Sequence, residues 1–149
     1  MTTAAIITTR NEEDTIGPLV TALKSHYDVL VIDDASEDDT YNVALNAGAM
    51  ARPHLLRTGI GPSLMEGWRW ALGRGADSIV QLDAGGSHDP AEAGRLVSAL
   101  QDFDMVIGSR FLPGSGYIGN VKRAALTPLC NWTQAARTIR LKRVLYWKD

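Results

Sequence analysis

Oxygen-bearing side chains cluster directly after two short apolar runs near the start of the chain. One cluster, Thr8–Glu13, follows the run Ala4–Ile7, and the other begins with Asp33 and Asp34 after Val29–Ile32. A carboxylate or hydroxyl at such a place accepts hydrogen bonds from a ribose or a base, although the same residue types also cap helices. The candidate nucleotide-binding residues are Thr8, Thr9, Arg10, Glu12, Asp33 and Asp34.

A third polar segment, Asp83–Pro90, follows another apolar run and holds several oxygen ligands close together. A hard divalent cation on a diphosphate requires such ligands, so Asp83, with Ser87, is a candidate ligand of Mg²⁺ or Mn²⁺. Asp89 is expected to cap the next helix, because a proline and an acidic residue follow it at the favoured positions. A lone histidine in a turn, here His88, is more often a hydrogen-bonded structural residue than a metal ligand.

Basic side chains dominate the end of the chain. Residues 110–149 hold 8 Lys and Arg against 1 acidic residue, whereas residues 1–109 hold 7 against 16. Arg110, Lys122 and Arg123 have the chemistry to converge on phosphate oxygens, since arginine offers bidentate contacts and lysine a point charge. The tail suits a phosphate on a lipid, a nucleotide or a nucleic acid, and a merely solvated helix face explains it equally well.

The elements that must position these side chains alternate between apolar runs and helical stripes through residues 1–109. This alternation predicts an α/β fold, a mostly parallel sheet with helices on both faces and ligands beyond the carboxyl ends of the strands. A helix is predicted around Ile16–Leu23. Pro18 restricts where this helix begins, because proline is tolerated only in the first turn of a helix. Another is predicted over Asp39–Ala47 and ends at Gly48. A later helix is expected to bury Leu64, Met65, Trp68, Ala71 and Leu72, and the segment from Lys122 onward is expected to be helical.

Composition limits the class of protein. A chain of 149 residues with 45% hydrophobic and 21% charged residues fits one soluble domain. Neither a membrane-spanning run nor a signal peptide is found, which predicts a cytoplasmic, non-spanning protein, and Cys130 alone makes neither a disulfide nor a cysteine zinc site. The glycine fingerprint of dinucleotide oxidoreductases and the phosphate loop of ATPases are both missing, so nucleotide binding would need another arrangement.

In their order, these segments resemble the polyprenyl-phosphate (dolichyl-phosphate) mannosyl- and glucosyltransferases of the inverting family 2 glycosyltransferases. The segment IITTRNE is similar to the family's opening strand and Pro-Thr-Tyr-Asn-Glu motif, with Thr8 at the proline and Arg10 at the tyrosine. The segment VIDDASEDDT resembles Asp-Asp-x-Ser-x-Asp-x-Thr, which holds the base and ribose in the family. The resemblance therefore gives Asp33 and Asp34 that role.

The metal motif departs from the family pattern. QLDAGGSHDP resembles Met-Asp-Ala-Asp-x-Ser-His-x-Pro, with Asp83 at the first aspartate and Gly85 at the second. The substitution removes a charge that would help to hold a cation on the diphosphate. MVIGSR and GNVKR resemble the segments whose basic residues grip the acceptor phosphate, which assigns Arg110 and Arg123, with Lys122 beside them, to that contact.

The resemblance implies a GT-A (Rossmann-like) fold and transfer of a sugar from a UDP- or GDP-linked donor, with inversion. It implies Mg²⁺ or Mn²⁺, catalytic roles for Asp83, Arg110 and Arg123, and a polyprenyl-phosphate acceptor reached peripherally at the membrane surface. Residues 1–112 are expected to form the nucleotide-sugar-binding core, and residues 113–149 a glycine-rich loop and basic helical tail of the same domain. Two alternative functions stay open, a nucleotide-sugar-binding module without catalysis and a nucleic-acid-associated protein. Assembly into a homo-oligomer stays open as well. The sugar, the nucleotide and the completeness of the acceptor side are not determined.

Overall fold

The computed structural model of the protein describes residues 2–109 and 144–148. Strands and helices alternate along the first of these ranges, as the apolar runs predict. In chain order the elements are β1 Thr3–Thr9, α1 Glu13–Leu23, β2 Asp28–Asp33, α2 Thr40–Ala47, β3 Met50–Pro53, α3 Ile60–Gly73, β4 Ser78–Asp83, a 3₁₀ turn Pro90–Glu92, α4 Ala93–Ala99, β5 Met105–Ser109 and β6 Val144–Lys148.

Four strands form a sheet in the order β3-β2-β1-β4, and every neighbouring pair is parallel. The central strands β1 and β2 are buried along almost their whole length, which explains why they read as continuous apolar runs rather than alternating ones. Parallel strands need crossover connections, and α1, α2 and α3 supply them. The predicted α/β architecture is confirmed for this part of the chain.

Helices cover both faces of this sheet. The connections β1-α1-β2 and β2-α2-β3 advance in one direction, whereas β3-α3-β4 returns past both inner strands. Because such crossovers are right-handed, α3 lies on the face opposite α1 and α2. The sheet face that carries Ile6 and Ile32 packs against Ala71 of α3. Gly17 of α1 lies so close to α2 that a Cβ atom on it would sit 3.1 Å from Val43.

The side of α3 that packs inward differs from the prediction. Its buried residues are Ser63, Gly67 and Ala71, whereas Trp68 is 39% exposed and Leu72 is 67% exposed. Small residues spaced four apart let the helix approach the sheet closely, which leaves the bulky side chains outside the contact. Ala71 is buried as predicted, but the large residues Met65, Trp68 and Leu72 were the wrong guide to the inward side of this helix.

The start of α1 also differs from the prediction. Pro18 lies inside the helix, which begins five residues earlier at Glu13. Pro18 lacks the N–H that would bond the carbonyl of Asp14, but both residues are exposed, so water can replace that donor. The predicted stripe of Ile16, Leu19, Val20 and Leu23 is buried as expected. The prediction for α2 is confirmed too, since it ends at Gly48 with φ of 99°.

The chain divides into two compact units, Met1–Ala93 and Gly94–Asp149. In the second unit β5 pairs in parallel with β6 as a two-stranded sheet. Val144–Lys148 was expected to end a helical tail and is a strand instead, consistent with its valine, tyrosine and tryptophan. The boundary expected at residue 112 lies outside the described residues and stays a prediction.

Candidate functional site

The carboxyl ends of all four parallel strands meet at one edge of the sheet. The pairing register sets Thr9 beside Asp33, Asp33 beside Pro53, and Thr8 beside Asp83. The three polar clusters of the sequence are therefore neighbours, although they are separated by up to 75 positions in the chain. Parallel α/β sheets bind their ligands at this kind of edge.

The loops after β1 and β2 are joined by hydrogen bonds. The Asn11 N–H donates to the Ser36 hydroxyl over 2.9 Å, and the Glu37 N–H donates to the Asn11 side-chain oxygen over 2.8 Å. The Glu12 N–H donates to the Thr40 hydroxyl over 2.8 Å. Asn11 adopts a left-handed conformation with φ of 54°, which asparagine tolerates better than most residues. These bonds hold the two loops as one rigid rim.

Asp33 is buried at the end of β2 and shapes the turn that follows. Its Oδ1 accepts hydrogen bonds from the Ser36 N–H, over 3.1 Å, and from the Ser36 hydroxyl. Ala35 between them has φ of 60°, a conformation that costs a residue other than glycine roughly 1 kcal/mol or more. Among the described residues, the side-chain hydrogen bonds of Asp33 all use Oδ1. Its other oxygen is the one suited to a ligand.

Asp34 turns away from that rim and binds the loop between β3 and α3. Its Oδ1 accepts from the Thr58 N–H over 2.7 Å and from the Thr58 hydroxyl over 2.9 Å, and its Oδ2 accepts from the Gly59 N–H over 2.8 Å. Burial opposes the charge, but these bonds and one from His54 outweigh it and lower the pKa of Asp34 to about 2. Asp34 is positioned to hold the loop, and a direct contact with a nucleotide stays a prediction.

His54 links Asp34 to a second carboxylate. Its Nδ1 lies 3.1 Å from Asp34 and its Nε2 lies 2.9 Å from Glu66, which also pairs with Arg52 over 2.9 Å. Burial lowers the pKa of His54, but the hydrogen bonds and charges of Glu66 and Asp34 outweigh it, so the pKa is raised. Sequence reasoning missed this network, because the spacing of His54 and Glu66 matches no ligand pattern.

The raised pKa of His54 makes stability depend on pH near neutrality. A group whose pKa is higher in the folded state than in the unfolded state stabilises the fold. For His54 this stabilisation is complete below the unfolded-state pKa of 6.5 and is lost as the pH rises through the folded-state pKa. The unfolding free energy of the wild type should therefore fall over that window relative to His54→Gln, as measured by urea unfolding at several pH values. His26→Gln, at an exposed histidine, is the control. Equal pH slopes for wild type and His54→Gln would contradict the pairing.

The turn after β4 carries the candidate metal residues. His88 Nδ1 accepts a hydrogen bond from the Asp83 N–H over 3.0 Å, which closes the turn and confirms a structural role for this histidine. Asp89 caps the following 3₁₀ turn through the Ala91 N–H over 2.9 Å, as predicted. Asp83 is half-buried and Ser87 is exposed. Within residues 2–109 and 144–148, no group of three or more His, Cys, Asp or Glu side chains is arranged to hold a metal ion.

Glu12 faces this turn from the loop after β1. Its Oε2 accepts from the Thr9 hydroxyl over 3.0 Å, and a Cβ atom built on Gly85 would lie 2.8 Å from its Oε1. Burial raises the pKa of Glu12; the Thr9 hydrogen bond opposes this, and the negative charges of Asp83 and Asp38 add to it. The Glu12 carboxylate therefore fills part of the volume that a side chain at position 85 would take.

Arg10 lies on the same rim. Its guanidinium pairs with Glu37 over 3.1 Å and its side chain is 33% exposed. Within the described part of the chain, its buried Nε has no hydrogen-bond partner. The structure thus brings Thr8, Thr9, Arg10, Glu12, Asp33 and Asp83 to one edge. Arg110, Lys122 and Arg123 lie outside the described residues.

Comparison with known proteins decides the family. The glycosyl transferase family 2 profile matches residues 4–148, almost the whole chain. The chain belongs to glycosyl transferase family 2. The undecaprenyl-phosphate mannosyltransferase of Micrococcus luteus is 42% identical over 123 residues, 76% of this chain and 50% of that protein. The polyprenol monophosphomannose synthase of Mycolicibacterium smegmatis is 37% identical over 124 residues, 75% of this chain and 46% of that protein.

This family 2 chain thus spans about half the length of the curated relatives it matches. Among solved structures, the glucosyl-3-phosphoglycerate synthase of Mycobacterium tuberculosis in complex with UDP superposes with a TM-score of 0.64 at 23% identity, over 90% of this chain and 50% of that one. The likeness supports the predicted GT-A fold. None of the helices in the described ranges combines the length and apolar character needed to cross a bilayer.

Proposed function

We propose that the protein transfers a sugar from a nucleoside-diphosphate sugar, linked to UDP or GDP, to a polyprenyl phosphate. The observation that carries the proposal is the convergence of Thr9, Asp33 and Asp83 at one sheet edge in a family 2 chain. The relatives named for polyprenyl-phosphate mannosyl transfer support the acceptor class. Their names also make a mannose donor the first to test.

The nucleotide half of the donor suits the rim formed by the loops after β1 and β2. Asp33 offers a carboxylate oxygen to ribose hydroxyls or a base N–H, and Arg10 offers donors beside it. The rim is held by bonds between the two loops, so little ordering is required when a ligand binds. Thr8, Thr9 and Glu12 complete this side.

The diphosphate suits the end of β4. Asp83 offers carboxylate oxygens, the donor type that Mg²⁺ and Mn²⁺ prefer, and such ions commonly use one or two carboxylates plus the substrate's phosphates. Since no group of three or more His, Cys, Asp or Glu side chains lies here among the described residues, a cation would be held by Asp83 and Ser87 together with the donor's own phosphates. When bound, a divalent cation would neutralise charge on the departing nucleoside diphosphate.

The transfer would be a single displacement at the anomeric carbon. An oxygen of the acceptor phosphate attacks that carbon, the bond from the carbon to the diphosphate oxygen breaks, and the nucleoside diphosphate leaves with the electron pair. A phosphate is already an anion at neutral pH, so no general base is required. Arg110, Lys122 and Arg123 are proposed to hold the acceptor phosphate, which would be reached from the membrane surface.

Gly85 favours one competing function, a nucleotide-sugar-binding module without transfer. The family's second metal aspartate is missing at this position, and loss of that charge would weaken catalysis before it weakened base recognition. Neither the described residues nor the relatives' names support a nucleic-acid partner or a homo-oligomer, so the proposal includes neither.

A transfer assay tests the proposal. The full chain is incubated with GDP-mannose or UDP-sugars, a short polyprenyl phosphate in detergent and Mn²⁺, and products are identified by mass spectrometry. We expect a polyprenyl-phosphate sugar that depends on the cation and is lost in Asp83→Asn. Donor binding with neither transfer nor hydrolysis would favour the binding module. Absence of donor binding would overturn the proposed function itself.

A further inference from the structure

His54 lies at the carboxyl edge of the sheet, directly beside candidate nucleotide-binding residues. Its backbone N–H donates to the Asp33 carbonyl over 2.8 Å. Its ring lies between Asp34 at the end of β2 and Glu66 of α3, and its side chain is only 13% exposed. Asp34 in turn donates its own N–H to the Thr9 carbonyl over 3.0 Å. The His54 residue is therefore connected to Asp33 and Thr9 through short chains of hydrogen bonds.

The protonation state of the His54 ring decides which group the Thr58 hydroxyl can bond. Nδ1 lies 3.1 Å from Asp34 and 2.9 Å from the Thr58 hydroxyl, whereas Nε2 lies 2.9 Å from Glu66. A doubly protonated ring donates to both carboxylates and leaves the Thr58 hydroxyl to donate to Asp34 over 2.9 Å. A neutral ring has a single N–H. Either its Nε2 lone pair then faces the Glu66 carboxylate, or its Nδ1 accepts the Thr58 hydroxyl and takes it from Asp34.

Loss of the ring proton also changes the charge at this edge of the sheet. Among the described residues, the charged side chains that contact His54 are Asp34 and Glu66, and Glu66 also pairs with Arg52 over 2.9 Å. A protonated ring and Arg52 together balance the two carboxylates, whereas a neutral ring leaves one negative charge in excess. Such an excess repels an anionic nucleotide donor. Both effects favour donor binding to the protonated form.

We propose that His54 is a positioning residue of the donor site, whose doubly protonated ring holds Asp34 and the loop of Thr58 and Gly59 in the arrangement that binds the nucleotide sugar. The inference rests on the proposed function, because the property it controls is donor affinity. Both oxygens of Asp34 accept hydrogen bonds from that loop. Asp34 directly follows Asp33, so a fixed Asp34 also fixes the end of β2 from which the Asp33 carboxylate is presented.

The proposal makes donor affinity depend on pH. Burial lowers the pKa of His54, but the hydrogen bonds and charges of Glu66 and Asp34 outweigh it and raise this pKa above 6.5. Donor affinity should be greatest below the folded-state pKa of His54, where the ring carries both protons. It should fall by about fivefold as the pH rises through that pKa, which is the contribution of roughly one hydrogen bond.

Donor binding to the full chain, measured by calorimetry with Mg²⁺ from about pH 6 to about pH 9, tests the proposal. The ligand is GDP-mannose or a UDP-sugar, because its diphosphate has no terminal phosphate group that titrates in this range. The wild type is compared with His54→Gln, and the difference between them cancels the titration of His26 and His88. Glu66→Gln and Arg52→Gln remove opposite charges beside the ring. NMR titration of the imidazole measures the pKa of His54 in each protein, and thermal melting checks folding.

We expect the wild-type affinity to fall about fivefold over this range and that of His54→Gln to stay constant within about twofold. The midpoint should move to lower pH in Glu66→Gln and to higher pH in Arg52→Gln, because the ring loses a negative neighbour in the first and a more distant positive one in the second. Equal pH profiles in wild type and His54→Gln, or midpoints that do not follow the pKa of His54, would overturn the inference. Donor binding would then leave the proposed function standing. A wild type that binds no donor at any pH would overturn both.

Discussion

Replacing Asp34 with alanine should lower the free energy of unfolding by about 3 kcal/mol, because four hydrogen bonds share this one nearly buried acceptor group. The Thr58 N–H and hydroxyl, the Gly59 N–H and the His54 ring all bond to this carboxylate. Its side chain is only 10% exposed, so water cannot readily take its place. The stabilising charge is complete above the unfolded pKa of 3.8 and is lost as pH falls toward about 2.

Urea unfolding followed by circular dichroism measures this loss. Asp28→Ala, an exposed carboxylate at the opposite end of β2, should change stability by less than about 0.5 kcal/mol. The stability loss in Asp34→Asn should fall between those in Asp34→Ala and Asp28→Ala. The amide oxygen accepts some of the hydrogen bonds, but the NH₂ group cannot accept the others. A loss below about 1 kcal/mol in Asp34→Ala would mean that Asp34 does not organise the loop between β3 and α3.

Replacing Gly67 with valine should destabilise the protein by about 3 kcal/mol, the upper part of the range for overpacked cores. A Cβ atom at this position would overlap the Cγ2 atom of Ile6, whose side chain is fully buried in β1. Ile6 cannot move aside easily, because it packs with Leu30 and Ile32 beneath the helix. The strain would push α3 away from the sheet.

Gly73→Ala on the same helix is the control for helix propensity. Nothing lies within 4 Å of a Cβ atom there, so alanine should be neutral or stabilise by up to about 1 kcal/mol. The paired change Gly67→Ala with Ile6→Ala should cost less than the sum of its single changes, since the second removes the overlapping methyl. If Gly67→Ala proved as stable as Gly73→Ala, the close packing of α3 against Ile6 would be contradicted.

The strands and the polar clusters that follow them could be predicted, because the sequence pattern of each lies within a few neighbouring residues. Buried parallel strands read as continuous apolar runs, here Ala4–Ile7 and Val29–Ile32, that end in polar residues. Parallel strands end at one edge, so the polar clusters had to converge there. The Asp89 cap and the end of α2 at Gly48 followed from similarly local rules.

The features that sequence reasoning missed depend on contacts between distant segments. The inward face of α3 is set by how closely Gly67 approaches Ile6, and no periodicity of apolar residues reports that distance. The bond of Asp34 to Thr58 and the ring of His54 between two carboxylates join residues up to 24 positions apart. The approach of Glu12 to Gly85 likewise needs the pairing of β1 with β4 before it becomes visible.

The central claim, that this sheet edge binds a nucleotide sugar, is tested most directly by donor binding to the full chain and to Asp83→Ala. A panel of UDP- and GDP-sugars is screened by thermal shift with and without Mn²⁺, and affinities are then measured by calorimetry. A donor at 100 times its dissociation constant stabilises the folded state by about 2.7 kcal/mol, which is readily seen as a rise in Tm. We expect at least one donor to bind with Mn²⁺ and Asp83→Ala to weaken it at least tenfold. Absence of binding across the panel, or equal affinity in Asp83→Ala, would contradict the account.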